Sequence, residues 1–162
     1  MTAEDDIDAF WRWFADNSGR LSADPDDLVV LEELDQRVLE LGCPAWEIGP
    51  GDQAEWFLAL SPDGDEHALP LTQQIVSRAP SISDWEFLPH RPKKKWDLRF
   101  GIEAESGPIE IDARRWRYVA YRYPDGVYDL VISVGNEVDL ADGDRELAVQ
   151  IAVEGQLGER PF

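Results

Sequence analysis

The sequence predicts an α+β protein in which a mainly antiparallel sheet has helices packed on one face. Apolar residues recur at helical spacing near both ends of the chain and alternate with polar residues in its middle. The predicted elements also come in runs, whereas a parallel α/β sheet would need strict alternation of strands and helices. At this length, residues 1–162 are predicted to form one α+β domain.

Two helices are predicted in the first quarter of the chain. Thr2 is the predicted cap of the first helix, and the turn residues 17–19 are its predicted end. For the second helix, the sequence predicts Asp24 as the cap, Pro25 at the first helical position and Gly42 at the end. The apolar face of the first helix is predicted to consist of Ile7, Phe10, Trp11 and Phe14.

The period of the apolar pattern then changes from helix to strand. Alternating residues around a Gly-Pro-Gly-Asp turn predict a hairpin over 46–60. A third helix is predicted to begin near Pro70 and to be stopped by Pro80. Trp85 and Phe87 indicate a short strand after it.

Four more strands and one helix are predicted in the remainder of the chain. The clearest alternation covers 96–103, and a shorter one covers 109–112. The turn at 124–126 predicts a hairpin formed by the residues on either side of it. The last helix is predicted from Asp142 or Asp144 onward, and its few charges predict that it is the most buried helix.

Charge excludes one class of partner. With 34 Asp and Glu against 15 Lys and Arg, the net charge is −19, and phosphate binding requires a basic surface. We therefore expect no nucleic-acid partner. The charge is uneven: residues 1–77 carry a net −15 and residues 123–162 a net −7, whereas residues 78–122 carry a net +3.

The sequence offers no reason to expect a cofactor, a metal or a membrane span. No apolar run approaches the roughly 20 residues of a membrane span, and the acidic start does not resemble a signal peptide. The single cysteine, Cys43, excludes an internal disulfide and suits a cytoplasmic protein. His67 and His90 stand apart from each other and from Cys43 at any metal-ligand spacing.

Four carboxylates supply the best catalytic alternative. If the strands at 96–103 and 109–112 pair, their acids could cluster and hold a divalent cation or divide acid and base roles. The same alternation also suits the solvent-exposed face of a sheet, where acids are ordinary. The four residues are Glu103, Glu105, Glu110 and Asp112.

A basic segment and one tryptophan are the candidates for partner binding. All three lysines of the chain are adjacent, between two prolines and a predicted strand, so they can serve as a soluble connection that prevents edge pairing. Alternatively, they form a cationic patch with nearby arginines. Trp13 lies at the margin of the apolar face of its helix, as an aromatic contact for a partner would. The predicted partner-binding residues are Arg91, Lys93, Lys94, Lys95, Arg99, Arg115, Arg117 and Trp13.

Several short blocks in the same order resemble an uncharacterised bacterial family catalogued as a domain of unknown function. They are Phe10-Trp11 with Trp13-Phe14, Trp46-Glu47-Ile48-Gly49-Pro50, Leu60-Ser61-Pro62-Asp63-Gly64, Ala79-Pro80, Trp85-Glu86-Phe87, Arg91-Pro92 and Leu157-Gly158-Glu159. The resemblance spans nearly the whole chain and brings no catalytic residues with it. Similar chains continue past the last block, so the resemblance raises the expectation of a C-terminal truncation after Phe162.

The leading functional hypothesis is a non-catalytic protein-interaction module. A narrower form is an immunity-like or inhibitor-like protein whose acidic helices, residues 2–42, cover a basic partner, because an acidic field speeds capture of such a target. The alternative from another class is a metal-dependent hydrolase or ligand-binding enzyme that uses the carboxylates of residues 103–112.

Overall fold

The computed structural model describes residues 3–104, 106–135 and 140–159, and these residues form an α+β fold dominated by antiparallel strand pairs. The predicted fold class is confirmed. Contacts concentrate in two units: the first runs through Pro92 and includes Gly158 and Glu159, and the second is Lys93–Leu157. The sequence predicts one domain, and the boundary between the units falls at the three lysines. No helix in the described ranges is long and apolar enough to cross a membrane.

The first helix, α1 (Ala3–Ala23), buries the aromatic face that its spacing predicts. It does not end at residues 17–19, as predicted, but continues for one more turn. That turn buries Leu21 completely, which contributes about 1.5–3 kcal/mol, whereas Gly19 in a helix costs about 1 kcal/mol. The predicted cap, Thr2, lies outside the described residues.

The second helix, α2 (Leu28–Glu40), begins later than the sequence predicts. Asp24 is not its cap, because the carbonyl of Asp24 accepts from the N–H of Asp27 and closes a turn through Pro25 (3.1 Å). Asp27 is the N-cap instead, and its side chain accepts from the N–H groups of Val29 and Val30. The helix buries Val30, Leu34 and Val38.

A three-stranded sheet completes the core of the first unit. β1 (Ala45–Pro50) and β2 (Trp56–Ser61) form the predicted antiparallel hairpin, and β3 (Trp85–Leu88) pairs with β2 in parallel. The connection from β2 to β3 runs through α3 (Leu69–Ser77). β2 is the central strand and is buried from Phe57 to Ser61, so the helices and the other strands enclose it.

The second unit contains two separate hairpins and one helix. β4 (Arg99–Ala104) pairs antiparallel with β5 (Gly107–Asp112), and β6 (Arg117–Arg122) pairs antiparallel with β7 (Tyr128–Ser133). The predicted strand from residue 96 begins only at Arg99, because Leu98 adopts a positive φ of 60° that interrupts an extended backbone.

The last helix, α4 (Asp142–Leu157), is not the most buried helix, and that prediction is wrong. Only small residues are buried along it: Ala148, Ala152 and Gly155. Leu147 and Leu157 remain exposed, so the low charge of this helix does not report burial. The most buried helix is instead α1, which buries five large side chains.

Candidate functional site

The β6–β7 hairpin, residues 117–133, is the most apolar exposed surface that the structure describes. Eight of the thirteen exposed large hydrophobic side chains lie in it, and the exposed fraction reaches 72% at Tyr118 and 58% at Val131. Exposed apolar side chains concentrated in one short element indicate an interaction site, whereas scattered ones need no explanation. The eight are Tyr118, Val119, Tyr121, Tyr123, Val127, Tyr128, Leu130 and Val131.

Both faces of this hairpin are apolar. The register pairs Val119 with Val131 on one face and Ala120 with Leu130 on the other. A strand that is apolar on both faces normally lies between two layers, and an isolated two-stranded hairpin is only marginally stable in water. Its composition therefore suits a strand pair that another protein layer covers.

Local interactions fix the shape of the hairpin. The turn at 124–126 places Gly126 at φ 89°, where glycine carries no Cβ penalty, and the N–H of Gly126 donates to the carbonyl of Tyr123 (3.1 Å). The Tyr123 hydroxyl donates to Asp129 Oδ2 (2.7 Å), and this bond raises the pKa of Tyr123. The Arg122 guanidinium lies 5.9 Å from the ring centre of Tyr128, a cation–π contact across the strands.

A groove of about 390 Å³ adjoins the hairpin within the second unit. It is predominantly apolar, and its lining includes the guanidinium-bearing Arg114 and Arg117 but no described Asp or Glu. An apolar groove with a few fixed polar groups is the usual form of a recognition site. Its apolar lining includes Leu98, Trp116, Tyr118, Leu130, Ile132 and Ala152.

An arginine–carboxylate cluster lies beside this groove. Arg114 Nε donates to Asp112 Oδ1 (2.8 Å), a second guanidinium nitrogen of Arg114 donates to Oδ2, and Arg99 Nε lies 3.7 Å from the same Oδ2. The hydrogen bonds from Arg114 hold the pKa of the Asp112 carboxyl well below its ordinary value, while Asp112 raises the pKa of Arg114. Arg114 therefore stays protonated, and its guanidinium is held in place by Asp112.

The predicted lysines lie in an exposed connection without regular secondary structure. The N–H of Lys94 donates to the carbonyl of Gly155 (2.6 Å), and Lys94 Nζ lies 5.9 Å from the ring centre of Trp96. Lys93 and Lys95 are exposed on either side. This placement fits both interpretations of the lysine run, as a soluble connection and as part of a contact surface.

The predicted arginines of the second unit occupy different places. Arg99 shares Asp112 with Arg114, and Arg115 lines a second cavity of about 230 Å³ together with Glu110 and Asp112. Arg117 begins β6 and is exposed. Among these residues, Arg117 is the one that lies in the exposed hairpin.

Arg91 and Trp13 make contacts inside the first unit. The Arg91 guanidinium lies 3.1 Å from Asp63 and 3.7 Å from Glu47, so neighbouring acids engage its charge. Trp13 is half-buried; its indole N–H donates to Glu33 (3.1 Å), and the Arg37 guanidinium lies 4.9 Å from its ring centre. These contacts join α1 to α2 and give Trp13 a packing role.

Glu159 and Cys43 both contact Ser61, which is fully buried in the first unit. The Glu159 carboxylate accepts from Ser61 Oγ (2.6 Å), Gly64 N–H (3.1 Å) and Arg91 N–H (2.9 Å). Cys43 is fully buried, and burial raises the pKa of its thiol to about 11. A thiol with that pKa is a poor nucleophile at neutral pH.

The carboxylates of the enzyme hypothesis lie on the exposed side of the β4–β5 hairpin. Register places Glu110 opposite Gly101 and Glu103 opposite Pro108, so Glu103, Glu110 and Asp112 share one face. Glu105 lies outside the described residues. Within the described ranges, no group of three or more His, Cys, Asp or Glu could hold a metal ion.

Sequence reasoning identified the hairpin as strands but not as a surface. A sequence signal did exist: the runs Tyr-Val-Ala-Tyr and Val-Tyr-Asp-Leu-Val-Ile within 118–132 place apolar residues on both faces. Such runs predict a strand buried on both sides, and only the structure shows that nothing in the described ranges buries this one.

Comparison with known proteins assigns no family to the chain: no family model matches it, and neither a curated protein nor a solved structure matches it significantly. The resemblance to an uncharacterised bacterial family stays a prediction. The candidate site therefore rests on the geometry of this chain alone.

Proposed function

We propose that this chain is a non-catalytic protein-interaction module and that the β6–β7 hairpin is its docking face. One observation carries the proposal: both faces of the hairpin are apolar and both are exposed. Aromatic residues and arginine are the side chains that protein interfaces favour, and the hairpin contains four tyrosines and two arginines.

A protein fits this surface better than a nucleic acid does. The net charge of −19 repels a polyanion at long range, and the exposed apolar side chains require an apolar partner surface. The single cysteine supports a reducing cytoplasm as the setting. The proposal includes no cofactor.

A matched pair of variants tests the docking face. Val131 in β7 and Val29 in α2 are exposed to similar extents, 58% and 60%. Val131→Lys should abolish stoichiometric capture of a partner from native lysate, whereas Val29→Lys should leave it unchanged. Circular dichroism of both variants controls for folding. Equal capture by both variants would exclude the hairpin as the docking face.

The immunity-like or inhibitor-like form of the proposal places a basic partner on the acidic helices α1 and α2. Its support is a row of exposed acidic side chains on α2, where Glu32, Asp35 and Glu40 border a shallow depression. Binding at this face should weaken steeply with salt, because screening removes long-range attraction. A captured partner whose affinity does not depend on salt would contradict this form.

The alternative, a metal-dependent hydrolase or ligand-binding enzyme, would use the carboxylates of residues 103–112. It has less support, because Arg114 and Arg99 already engage Asp112. A thermal-shift series over divalent cations tests this alternative, since a ligand that binds the folded state raises the unfolding temperature. No shift near millimolar concentration would remove this alternative.

A further inference from the structure

Alternate backbone groups of β6 point away from its partner strand. The N–H of Tyr123 donates to the carbonyl of Val127 (2.8 Å), so this pair is hydrogen-bonded. In an antiparallel ladder, hydrogen-bonded pairs recur at every second residue. The next two residues of β6 whose backbone groups bond to β7 are therefore Tyr121 and Val119. Among the described strands, only β7 pairs with β6. The outward backbone groups of β6 are those of Tyr118, Ala120 and Arg122.

Positive charge borders this open edge. The segment 113–123 contains four arginines and no acidic residue, although the chain as a whole carries −19. Arg117 and Arg122 stand at the two ends of β6 and on opposite faces of the hairpin, because strand side chains alternate. Between them, Tyr118, Val119 and Tyr121 are apolar and exposed.

We propose that an extended segment of a partner protein adds as a strand to the outer edge of β6, with a carboxylate at each end and apolar or β-branched residues between. Strand addition supplies main-chain hydrogen bonds, and alternate side chains supply specificity. The terminal carboxylates meet Arg117 and Arg122, and the central residues cover the exposed tyrosines. This inference rests on the proposed function and names the chemistry of its partner.

A second copy of this chain fits the same edge poorly. Pairing of β6 with a second β6 brings together two strands that each carry two arginines and no carboxylate, and like charges on neighbouring strands of a sheet are destabilising. The arginines also favour the edge of β6 over the edge of β7 as the place where the partner strand binds. β7 carries Asp129, which would repel a partner carboxylate.

Peptide probes test the inference on the intact protein. The first probe is a capped, fluorescein-labelled hexapeptide with Glu at both ends and alternating Val and Thr between them. The second has Lys at both ends, and the third carries N-methyl groups on alternate central amides. Fluorescence polarisation should show saturable binding of the first probe and binding at least about tenfold weaker for the others. The Lys-ended probe loses the ion pairs with Arg117 and Arg122, and the N-methylated probe loses main-chain hydrogen bonds.

A matched pair of proline variants locates the edge. Ala120→Pro removes an outward N–H of β6 and no bond to β7, whereas Leu130→Pro does the same at the outer edge of β7. The Glu-ended probe should lose about fivefold or more in affinity for Ala120→Pro and keep its affinity for Leu130→Pro. The N-methylated probe gives the same information on the unaltered protein, should either variant fail to fold.

Several results would overturn the inference. They are equal binding of Glu-ended and Lys-ended probes, loss of binding only in Leu130→Pro, tighter binding of an oligothymidylate than of the peptide, or a dimer that Ala120→Pro dissociates. Failure of every peptide to bind would also overturn it. The Val131→Lys capture experiment is independent of these probes, so it separates failure of this inference from failure of the docking face itself.

Discussion

Gly155 of α4 lies directly against the ring of Trp96. A Cβ on Gly155 would overlap the Trp96 ring and lie 2.9 Å from its Cη2. The ring cannot easily move, because it stacks on Phe100 with centres 5.3 Å apart. Glycine at this position of α4 therefore serves packing, despite the conformational entropy that it costs a helix.

Gly155→Ala should lower the free energy of unfolding by about 1–3 kcal/mol through overpacking. Gly143→Ala is the control in the same helix, since nothing lies within 4 Å of a Cβ there, and alanine should raise stability by up to about 1 kcal/mol. Urea unfolding followed by circular dichroism measures both. A neutral Gly155→Ala would show that the ring adjusts without cost.

Asp112 should make stability depend on pH in the acid range. Its folded pKa is depressed by the hydrogen bonds from Arg114, so its contribution is complete above the unfolded pKa of about 3.9 and is lost as pH falls through the folded pKa. The stability difference between wild type and Asp112→Asn should be constant above about pH 5 and shrink at lower pH. Carboxyl NMR should show the pKa of Asp112 rising in Arg114→Gln.

At the scale of elements, the start of α2 shows how local hydrogen bonds select among similar residues. Asp24 and Asp27 both have the chemistry of an N-cap, and the sequence alone favours Asp24 because Pro25 follows it. In the structure, a turn uses Asp24, and Asp27 caps the helix while accepting from Arg20 (2.8 Å). The hydrogen bond from Arg20 lowers the pKa of Asp27.

Asp27→Ala should destabilise the protein by about 1 kcal/mol, the usual cost of losing an N-cap. Asp24→Ala should cost less than about 0.5 kcal/mol, because it removes a turn contact only. Chemical unfolding of the two variants side by side measures the difference. A larger loss of stability in Asp24→Ala than in Asp27→Ala would show that Asp24, the residue that the sequence favours, is the N-cap.

The positions of the elements were predictable from the sequence, whereas their burial was predictable only where one face of an element meets the core. α1, the β1–β2 hairpin and β3 follow the spacing of their apolar residues, since one face of each meets the core. The sequence also predicted where α4 and the β6–β7 hairpin lie, but the predicted burial of α4 is wrong and the exposure of the hairpin was not predicted, because burial depends on what covers an element, which periodicity does not report. The exposed surface of the β6–β7 hairpin could for that reason be identified only from the structure.

At the scale of the molecule, the two units differ in charge. The first unit contains 21 Asp and Glu against six arginines, whereas the second contains 13 against nine Lys and Arg. A large net charge destabilises a compact state through self-repulsion. Salt should therefore act mainly on the first unit.

Raising NaCl from about 0.02 to about 0.2 M should raise the temperature of unfolding, because the screening length then falls from about 20 Å to less than about 8 Å. Cys43 reports the first unit specifically: it is fully buried with a pKa of about 11, so alkylation at mildly alkaline pH requires unfolding. The alkylation rate should fall as salt rises. A faster rate at high salt would mean that ion pairs outweigh repulsion there.

The position of the lysines has a practical consequence for chemistry on this protein. The chain has no lysine outside 93–95, and these three lie in an exposed stretch where the second unit begins. A lysine-specific endoprotease therefore meets its recognition residue at a single place and should release two pieces that mass spectrometry can identify. Every copy that is tethered to a sensor chip through a lysine should likewise be held by the same short stretch.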